Sequence, residues 1–472
     1  MPQAYDLVVI GAGTGGYVAA IRAAQLGLKT AVVERQKSLG GTCLIWGCIP
    51  TKALLEHAHA LKIIQHAADW GVSIANAQPT LDITAVHTRK DKIVTGLTKG
   101  VESLFKKHGI AWIKGTARLT GQGSVSVTGP DEQTLQANHI IVATGSSPRS
   151  VPGITIDHQR IITSDEAIHL KEVPGRIVIL GSGAVGVEFA SIFNRFGSKV
   201  TLVELLPRLV PVEDEAVSAE LARSFKKQGI TAYTGTKVTK ATVNGTTVAI
   251  DAELPGGKSD AFEADYLLVA TGRGPVTDGL GIESLGVELV NGYVKVDEFY
   301  RTNVDGISAI GDVITFGEGT RHPQLAHVSS AEGILVAERL AGQEVRPLNY
   351  NHVPGCTYCD PEIGSVGLTE QAAKEQGFDV QVGSFPFRVL GRARMADELD
   401  GFVKIVAEKK YDEILGIHII GPRATELVAE AVVALRTECT VEELIRTIHA
   451  HPTMSEAVGE AAHATHGAAI HI

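Results

Sequence analysis

The chain has 472 residues, 44% of them hydrophobic, and 43 Lys and Arg against 53 Asp and Glu leave a formal net charge of −10. That length predicts roughly two to four domains with ample material for buried cores. The acidic balance argues against nucleic acid, which demands a basic face, and no apolar run reaches the ~18 residues of a membrane span. Five cysteines are too few for a secreted disulfide scaffold, so the expected setting is reducing and cytoplasmic, and any disulfide there should be one that cycles.

The opening segment "YDLVVIGAGTGGYVAAIRAAQLGLKTAVVER" (5–35) reads as an apolar strand, a glycine turn, a helix with small residues on one face, and a second strand ending in Glu34. A first strand by Tyr5 leaves no room for a signal peptide. Gly11 permits the tight turn, Gly13 lets the backbone approach a pyrophosphate at the helix N-terminus, and Gly16 allows close helix–strand packing. Glu34 can accept hydrogen bonds from ribose hydroxyls.

Next comes "GGTCLIWGCIPTK" (40–52), in which Cys43 and Cys48 stand five positions apart. So short a loop can hold both sulfurs in a strained, reducible disulfide. Cys48 lies just before the amphipathic stretch "KALLEHAHALKIIQHA", whose His57, His59 and His66 are most simply faces of a helix. Pro50 suits the first turn of that helix. Lys52 sets a cation about one turn from Cys48, and a cation or a helix N-terminus favours the reactive thiolate.

"HIIVATGSSP" (139–148) is a buried-type strand that breaks at Ala-Thr-Gly. The βαβ pattern then recurs in "GRIVILGSGAVGVEFASIFNRFGSKVTLVE" (175–204), with Gly181, Gly183 and Gly186 in the turn and Glu204 at the same interval. A carboxylate at Glu204 repels a 2′-phosphate and so favours NAD over NADP, a preference tempered by nearby Arg208. A second Ala-Thr-Gly break follows in "DYLLVATGRGP" (265–275), and "GISAIGDV" (306–313) is an apolar strand ending at Gly311-Asp312. "GEGTRHP" (317–323) reads as a surface loop. After about Arg346, alternating strands such as "GFVKIVAEKK" and "ILGIHIIG" precede an amphipathic helix near 424–437, an α+β domain without nucleotide turns. Two complete fingerprints predict two bound dinucleotides, and a close cysteine pair beside them predicts electron relay from dithiol to flavin to nicotinamide.

"HAHPTMSEA" brings His449, His451 and Glu456 together. A metal would need further ligands at sensible spacing, and none is evident, so no metal is expected. An imidazole titrates where a dithiol substrate must lose a proton, and Glu456 can hold its tautomer. Pro452 restricts His451 to extended conformations. Cys356 and Cys359 form a CxxC with no second pair and no βαβ context; they read as bystander thiols, and Cys439 as packing.

Taken jointly, "GGTCLIWGCIPTKALL", the two Ala-Thr-Gly segments, "GDV" and "HAHPTMSEA" resemble the class I pyridine nucleotide–disulfide oxidoreductases over essentially the whole chain, and among them the dihydrolipoamide dehydrogenases. The resemblance implies an α/β fold with two Rossmann-like dinucleotide-binding domains, for FAD and NAD, plus a C-terminal α+β dimerisation domain. The expected divisions are 1–149 for FAD, 150–269 for NAD, 270–346 completing the FAD domain, and 347–472 for dimerisation. It makes Cys48 the thiol beside the flavin, a charge-transfer thiolate when reduced, and Cys43 the interchange thiol that meets substrate. Lys52 is placed near the flavin N5, paired with Glu188. Further FAD contacts fall on Gly11, Gly13, Gly16, Glu34, Thr42, Ala117, Thr144, Gly145, Asp312 and Ala326. For NAD they fall on Gly181, Gly183, Gly186, Glu188, Glu204, Val238 and Gly272. His451 becomes the base and Glu456 its partner, facing the disulfide of the other subunit of a homodimer.

The implied activity is oxidation of protein-bound dihydrolipoamide with reduction of NAD⁺. Its partners would be lipoyl domains of 2-oxoacid dehydrogenase complexes or of the glycine cleavage system, with no nucleic acid and no membrane. "ATGRGPVTDGLG" lacks the Arg-Pro-Asn run common in the family, the loop from Asp312 to Leu325 is longer than usual, and Trp46 stands where a small or polar residue is common. Glutathione reductases carry basic residues where Glu204 stands, mercuric reductases end in a cysteine pair where this chain ends "HGAAIHI", and the soluble transhydrogenase motif lacks the second cysteine. A non-catalytic redox-sensing flavoprotein would need no substrate base.

Overall fold

The fold is that of a computed structural model, which describes residues 3–74, 79–320 and 322–472. Arg321, inside the loop expected at 317–323, lies outside the described residues. Contacts divide the chain into two compact units: Met1–Ala53, Thr84–Arg149 and Gly272–Leu348 form one, and Leu54–Ile83, Ser150–Thr271 and Asn349–Ile472 the other.

In the first unit the apolar run at the start of the chain becomes the strand Gln3–Ile10, with Leu7, Val8 and Val9 fully buried. Such a run is stable only inside a parallel sheet covered on both faces. Its neighbours are Thr30–Glu34 and Gln133–Val142, both parallel to it, and Ala111–Lys114 pairs beyond Thr30–Glu34. Gln133–Val142 is shared along its length. Its beginning pairs antiparallel with Ser124–Thr128, and its end pairs parallel with Ile307–Ala309.

Register sets where the site lies. Ile10 is opposite both Val33 and Val142, and Val142 is opposite Ala309. Three strands therefore stop flush, and Gly11, Ala143–Gly145 and Ile310–Asp312 all leave from the carboxyl edge, where open α/β sheets bind their ligands. Behind this edge the helices Thr14–Gln25 and Ala326–Leu340 meet through small residues. A Cβ on Gly333 would lie 2.6 Å from the Gly15 carbonyl oxygen, so neither helix tolerates bulk there.

The second unit repeats the device. Its parallel sheet runs Thr231–Tyr233, Lys199–Val203, Arg176–Leu180, Tyr266–Val269, Ile161–Ile162, with Leu180 opposite Val203 and Val269. Gly181 and Ala270–Thr271 again leave the carboxyl edge together. Its other part is a five-stranded antiparallel sheet, Gly355–Thr357, Glu362–Gly367, Ile414–Gly421, Phe402–Glu408, Val380–Pro386, as the alternating sequence predicts. The helices Ala424–Arg436 and Glu456–Thr465 bury apolar faces against this sheet. The chain is thus an α/β protein with two Rossmann-like folds and a C-terminal α+β domain. Among the described residues no helix is long and apolar enough to cross a membrane.

Candidate active site

The cysteine segment is built from two helices meeting at a tight corner. Cys43 lies in Gly41–Ile45, and Cys48 is the first residue of Cys48–Gln65, with Pro50 in that helix's first turn. The helix thus starts at Cys48 itself rather than just after it, which puts this sulfur at the positive end of the helix dipole. The Gly40 N–H donates to the Ala12 carbonyl at 2.9 Å, and a Cβ on Gly41 would lie 2.5 Å from the Gly13 Cα. That glycine, at φ +59°, lets the segment press against the first glycine turn.

Cys43 and Cys48 are free thiols in hydrogen-bond contact with each other. The Cys43 thiol is pushed far up, first by its hydrogen bond to Cys48, then by burial and the neighbouring Cys48 charge, while Lys52 pulls the other way. A charge on one sulfur of the pair therefore opposes a charge on the other. Tyr17, from the helix Thr14–Gln25, is close enough that a charge on Cys43 raises its phenol after burial has done so.

The two glycine turns match in detail. Gly11 and Gly181 both hold φ +100°, and a Cβ on either would fall on the carbonyl of Ala143 or Ala270. A Cβ on Gly16 or Gly186 would fall on the carbonyl oxygen of Gly11 or Gly181. Gly13 and Gly183, by contrast, face open space, as an anion-receiving backbone must.

Glu34 takes the Ala12 and Gln36 N–H groups at 2.8 Å each, and Glu204 takes those of Ser182 at 2.7 Å and Leu206 at 2.8 Å. Each carboxylate thus staples its own glycine turn and retains lone pairs for ribose hydroxyls. Arg208 is committed elsewhere: its guanidinium lies 2.7 Å from Glu215. These cradles fit two dinucleotides. Gly186→Ala is expected to lower kcat/KM for NAD⁺ by about 10²-fold, the scale of ångström misplacement, with flavin absorbance unchanged; nicotinamide titration of the purified protein checks it.

Asp312 is held by a short relay of side chains. Ser146 Oγ donates to its carboxylate at 2.6 Å, and Arg273 Nε holds that hydroxyl at 2.7 Å. Buried Glu332 accepts the Gly311 N–H at 2.7 Å and pairs with His322 at 2.7 Å. Thr144 Oγ1 is tied to the Val276 carbonyl at 2.6 Å, Gly145 sits at φ +72° with open space beside it, and Ala326 is the first residue of its helix. Thr42 caps its own turn through a carbonyl that accepts the Trp46 N–H.

Ala117 is reached by way of Gly115, whose N–H bonds the Glu34 carbonyl at 3.0 Å. Val238 points its side chain into a core with Val203 and Val248, so its backbone is what remains for a ligand. Gly272 has φ +114° and open space at its Cα. Glu188 is buried and accepts the Tyr358 N–H at 2.9 Å; Lys52 belongs to the other unit.

Sequence reading did not find Tyr17, Ser146, Arg273, His322 or Glu332. The polar residues directly after each Ala-Thr-Gly were the available signal for Ser146 and Arg273.

In the C-terminal domain His451 Nδ1 lies 2.8 Å from Glu456 Oε1, and Glu456 Oε2 takes the Thr453 N–H at 2.8 Å. Burial works against the Glu456 carboxylate, but those hydrogen bonds outweigh it and hold it below the usual range. The His451–Pro452 peptide is cis. With Nδ1 committed, Nε2 is the nitrogen that can take a proton, on a side chain 77% exposed. Cys359 is buried with its thiol raised by burial, and its sulfur points to the Pro361 carbonyl at 3.2 Å, whereas Cys356 points to that of Thr425. Among the described residues no group of three or more His, Cys, Asp or Glu is arranged to hold a metal.

Two matched dinucleotide cradles with a dithiol docked on the first define a flavin- and nicotinamide-dependent disulfide oxidoreductase. Residues 5–333 match the pyridine nucleotide-disulphide oxidoreductase family and residues 353–462 its dimerisation domain, and the chain belongs to that family. It is 44% identical to the mitochondrial dihydrolipoyl dehydrogenase of Pisum sativum, over 99% of this chain and 92% of that one. It is also 44% identical to the dihydrolipoyl dehydrogenase of Bacillus subtilis over the full length of both. The crystal structure of LpdA from Mycobacterium tuberculosis matches with a TM-score of 0.87 at 26% identity, covering 98% of this chain and 99% of that one.

Proposed function

We propose that this protein oxidises the dihydrolipoyl dithiol of a carrier domain to the cyclic disulfide, with NAD⁺ reduced to NADH and one proton released. The observation that carries this is the Cys43–Cys48 pair, two thiols in contact at a helix start, docked on the first glycine turn. Full-length similarity to proteins named dihydrolipoyl dehydrogenase supports the choice of substrate.

His451 Nε2 takes a proton from the substrate dithiol, with Glu456 stabilising the imidazolium. The resulting thiolate attacks the Cys43 sulfur of the oxidised pair, and Cys48 leaves as the thiolate. The second substrate thiol then displaces Cys43, its proton passing to the leaving Cys43 sulfur, and the cyclic disulfide is released. FAD, when bound, supplies the chemistry that turns this electron pair into a hydride for NAD⁺.

Gly11, Gly13, Gly16, Glu34, Thr42, Ala117, Thr144, Gly145, Asp312 and Ala326 hold FAD in this reading. Gly181, Gly183, Gly186, Glu204, Val238 and Gly272 hold NAD, and Lys52 pairs with Glu188 near the reacting ring. Residues 1–149 and 270–346 make the FAD domain, 150–269 the NAD domain and 347–472 the dimerisation domain. The protein works as a homodimer in the cytoplasm, His451 of one subunit serving the disulfide of the other. Its macromolecular partners are lipoyl domains of 2-oxoacid dehydrogenase complexes or the glycine cleavage system.

Glu204, with Arg208 engaged by Glu215, favours NAD⁺. Steady-state turnover of free dihydrolipoamide with NAD⁺ and with NADP⁺ tests the proposal. Brisk ping-pong kinetics with NAD⁺ are expected; turnover of glutathione disulfide with NADPH instead would overturn it.

A further inference from the structure

The dithiol chemistry uses one histidine of the His-x-His pair and leaves His449 without a part. Both imidazoles meet one helix, Glu456–Thr465. His451 bonds Glu456 in its first turn. One turn later, a Cβ on Gly459 would lie 2.9 Å from His449 Nδ1, so the missing side chain makes room for the ring. Glu456 and Gly459 are three apart and share a helix face. On its far side His449 Nε2 lies 2.7 Å from Glu430 Oε1, carried by the helix Ala424–Arg436. The His449 side chain is 10% exposed and that of His451 77%. Both line one cleft of about 390 Å³.

We propose that His449 is a positioning residue for the base: clamped between Glu430 and Gly459, it fixes the segment 449–451 on the helix and keeps His451 aligned on Glu456. The inference rests on the reading of His451 as the base. An exposed imidazole on an extended loop swings freely unless the chain beside it is anchored, and misalignment at a proton-transfer site is costly. The anchor here is a mostly buried, charge-assisted hydrogen bond to a second helix.

The clamp also carries charge. The hydrogen bond to Glu430 is the largest influence raising His449 above its ordinary range, against burial. Glu456, Glu460 and His463 from the helix Glu456–Thr465, and His451 and His471, share the cleft with it. A cation at His449 favours the Glu456 carboxylate that orients the base.

The test uses the FAD-loaded dimer and two assays: dihydrolipoamide oxidation with NAD⁺, and NADH oxidation by ferricyanide, which needs no dithiol base. For His449→Ala a fall of about tenfold or more in dihydrolipoamide kcat is expected, with ferricyanide reduction unchanged. His449→Gln, whose amide can still donate to Glu430, should recover most of kcat. Wild-type kcat in His449→Ala would overturn the proposal, and so would parallel loss of both assays, which marks general damage. His451→Gln run alongside separates the two readings. Full activity there sinks the base assignment, whereas loss there with none in His449→Ala sinks only the clamp.

Discussion

Cys43→Ser is expected to lower dihydrolipoamide oxidation by about 10⁴-fold or more, the scale on which loss of a nucleophile acts. Reduction of ferricyanide by NADH should survive, because that route bypasses the disulfide. The reason is positional. Cys43 packs against the core of the first unit from the short helix Gly41–Ile45 and meets Cys48 across a four-residue corner. Of the other cysteines, Cys359 is buried, and Cys356 and Cys439 each point the sulfur at a backbone carbonyl. The same variant leaves Cys48 without a partner to oxidise with. Its thiolate, favoured by the helix start and by Lys52 one turn on, should then absorb at long wavelength with the flavin before any reductant is added. Steady-state assays and a visible spectrum of the purified variant check both halves.

His451→Gln should lower the same reaction by about 10²–10⁴-fold, the usual contribution of a positioned general base. The loss should appear in dithiol oxidation and not in ferricyanide reduction. Glutamine keeps a polar contact with Glu456 but cannot take a proton, so the residual rate should climb with pH as the substrate thiol ionises unaided. Glu456→Gln should fall in the same direction by less, since the amide oxygen can still accept from the ring nitrogen now 2.8 Å away and only the charge that stabilises the imidazolium is lost. Rate–pH profiles of the variants separate these effects.

What the sequence made legible is what local backbone geometry dictates. Gly11, Gly16, Gly181 and Gly186 stand where a Cβ would strike a carbonyl, so the turn can be written only with glycine. An acid at the end of each second strand completes a pattern short enough to read by eye, and the Cys43–Cys48 and His451–Glu456 spacings are likewise within one or two turns. The rest depends on residues that meet only after folding. Ser146 reaches Asp312 across 166 positions, and His449 reaches Glu430 on another helix. Nothing in a run of ten residues announces either contact. Trp46 was visible as a departure, and its half-buried place beside Cys48 gives no further account of it.

For this chemistry the cysteine pair must cycle between disulfide and dithiol in electronic contact with bound flavin. The most direct test is an anaerobic visible spectrum of the oxidised protein after one equivalent of dihydrolipoamide. A long-wavelength absorption band is predicted in the wild type and none in Cys48→Ser. Bleaching of the flavin without such a band, identical in wild type and Cys48→Ser, would contradict it.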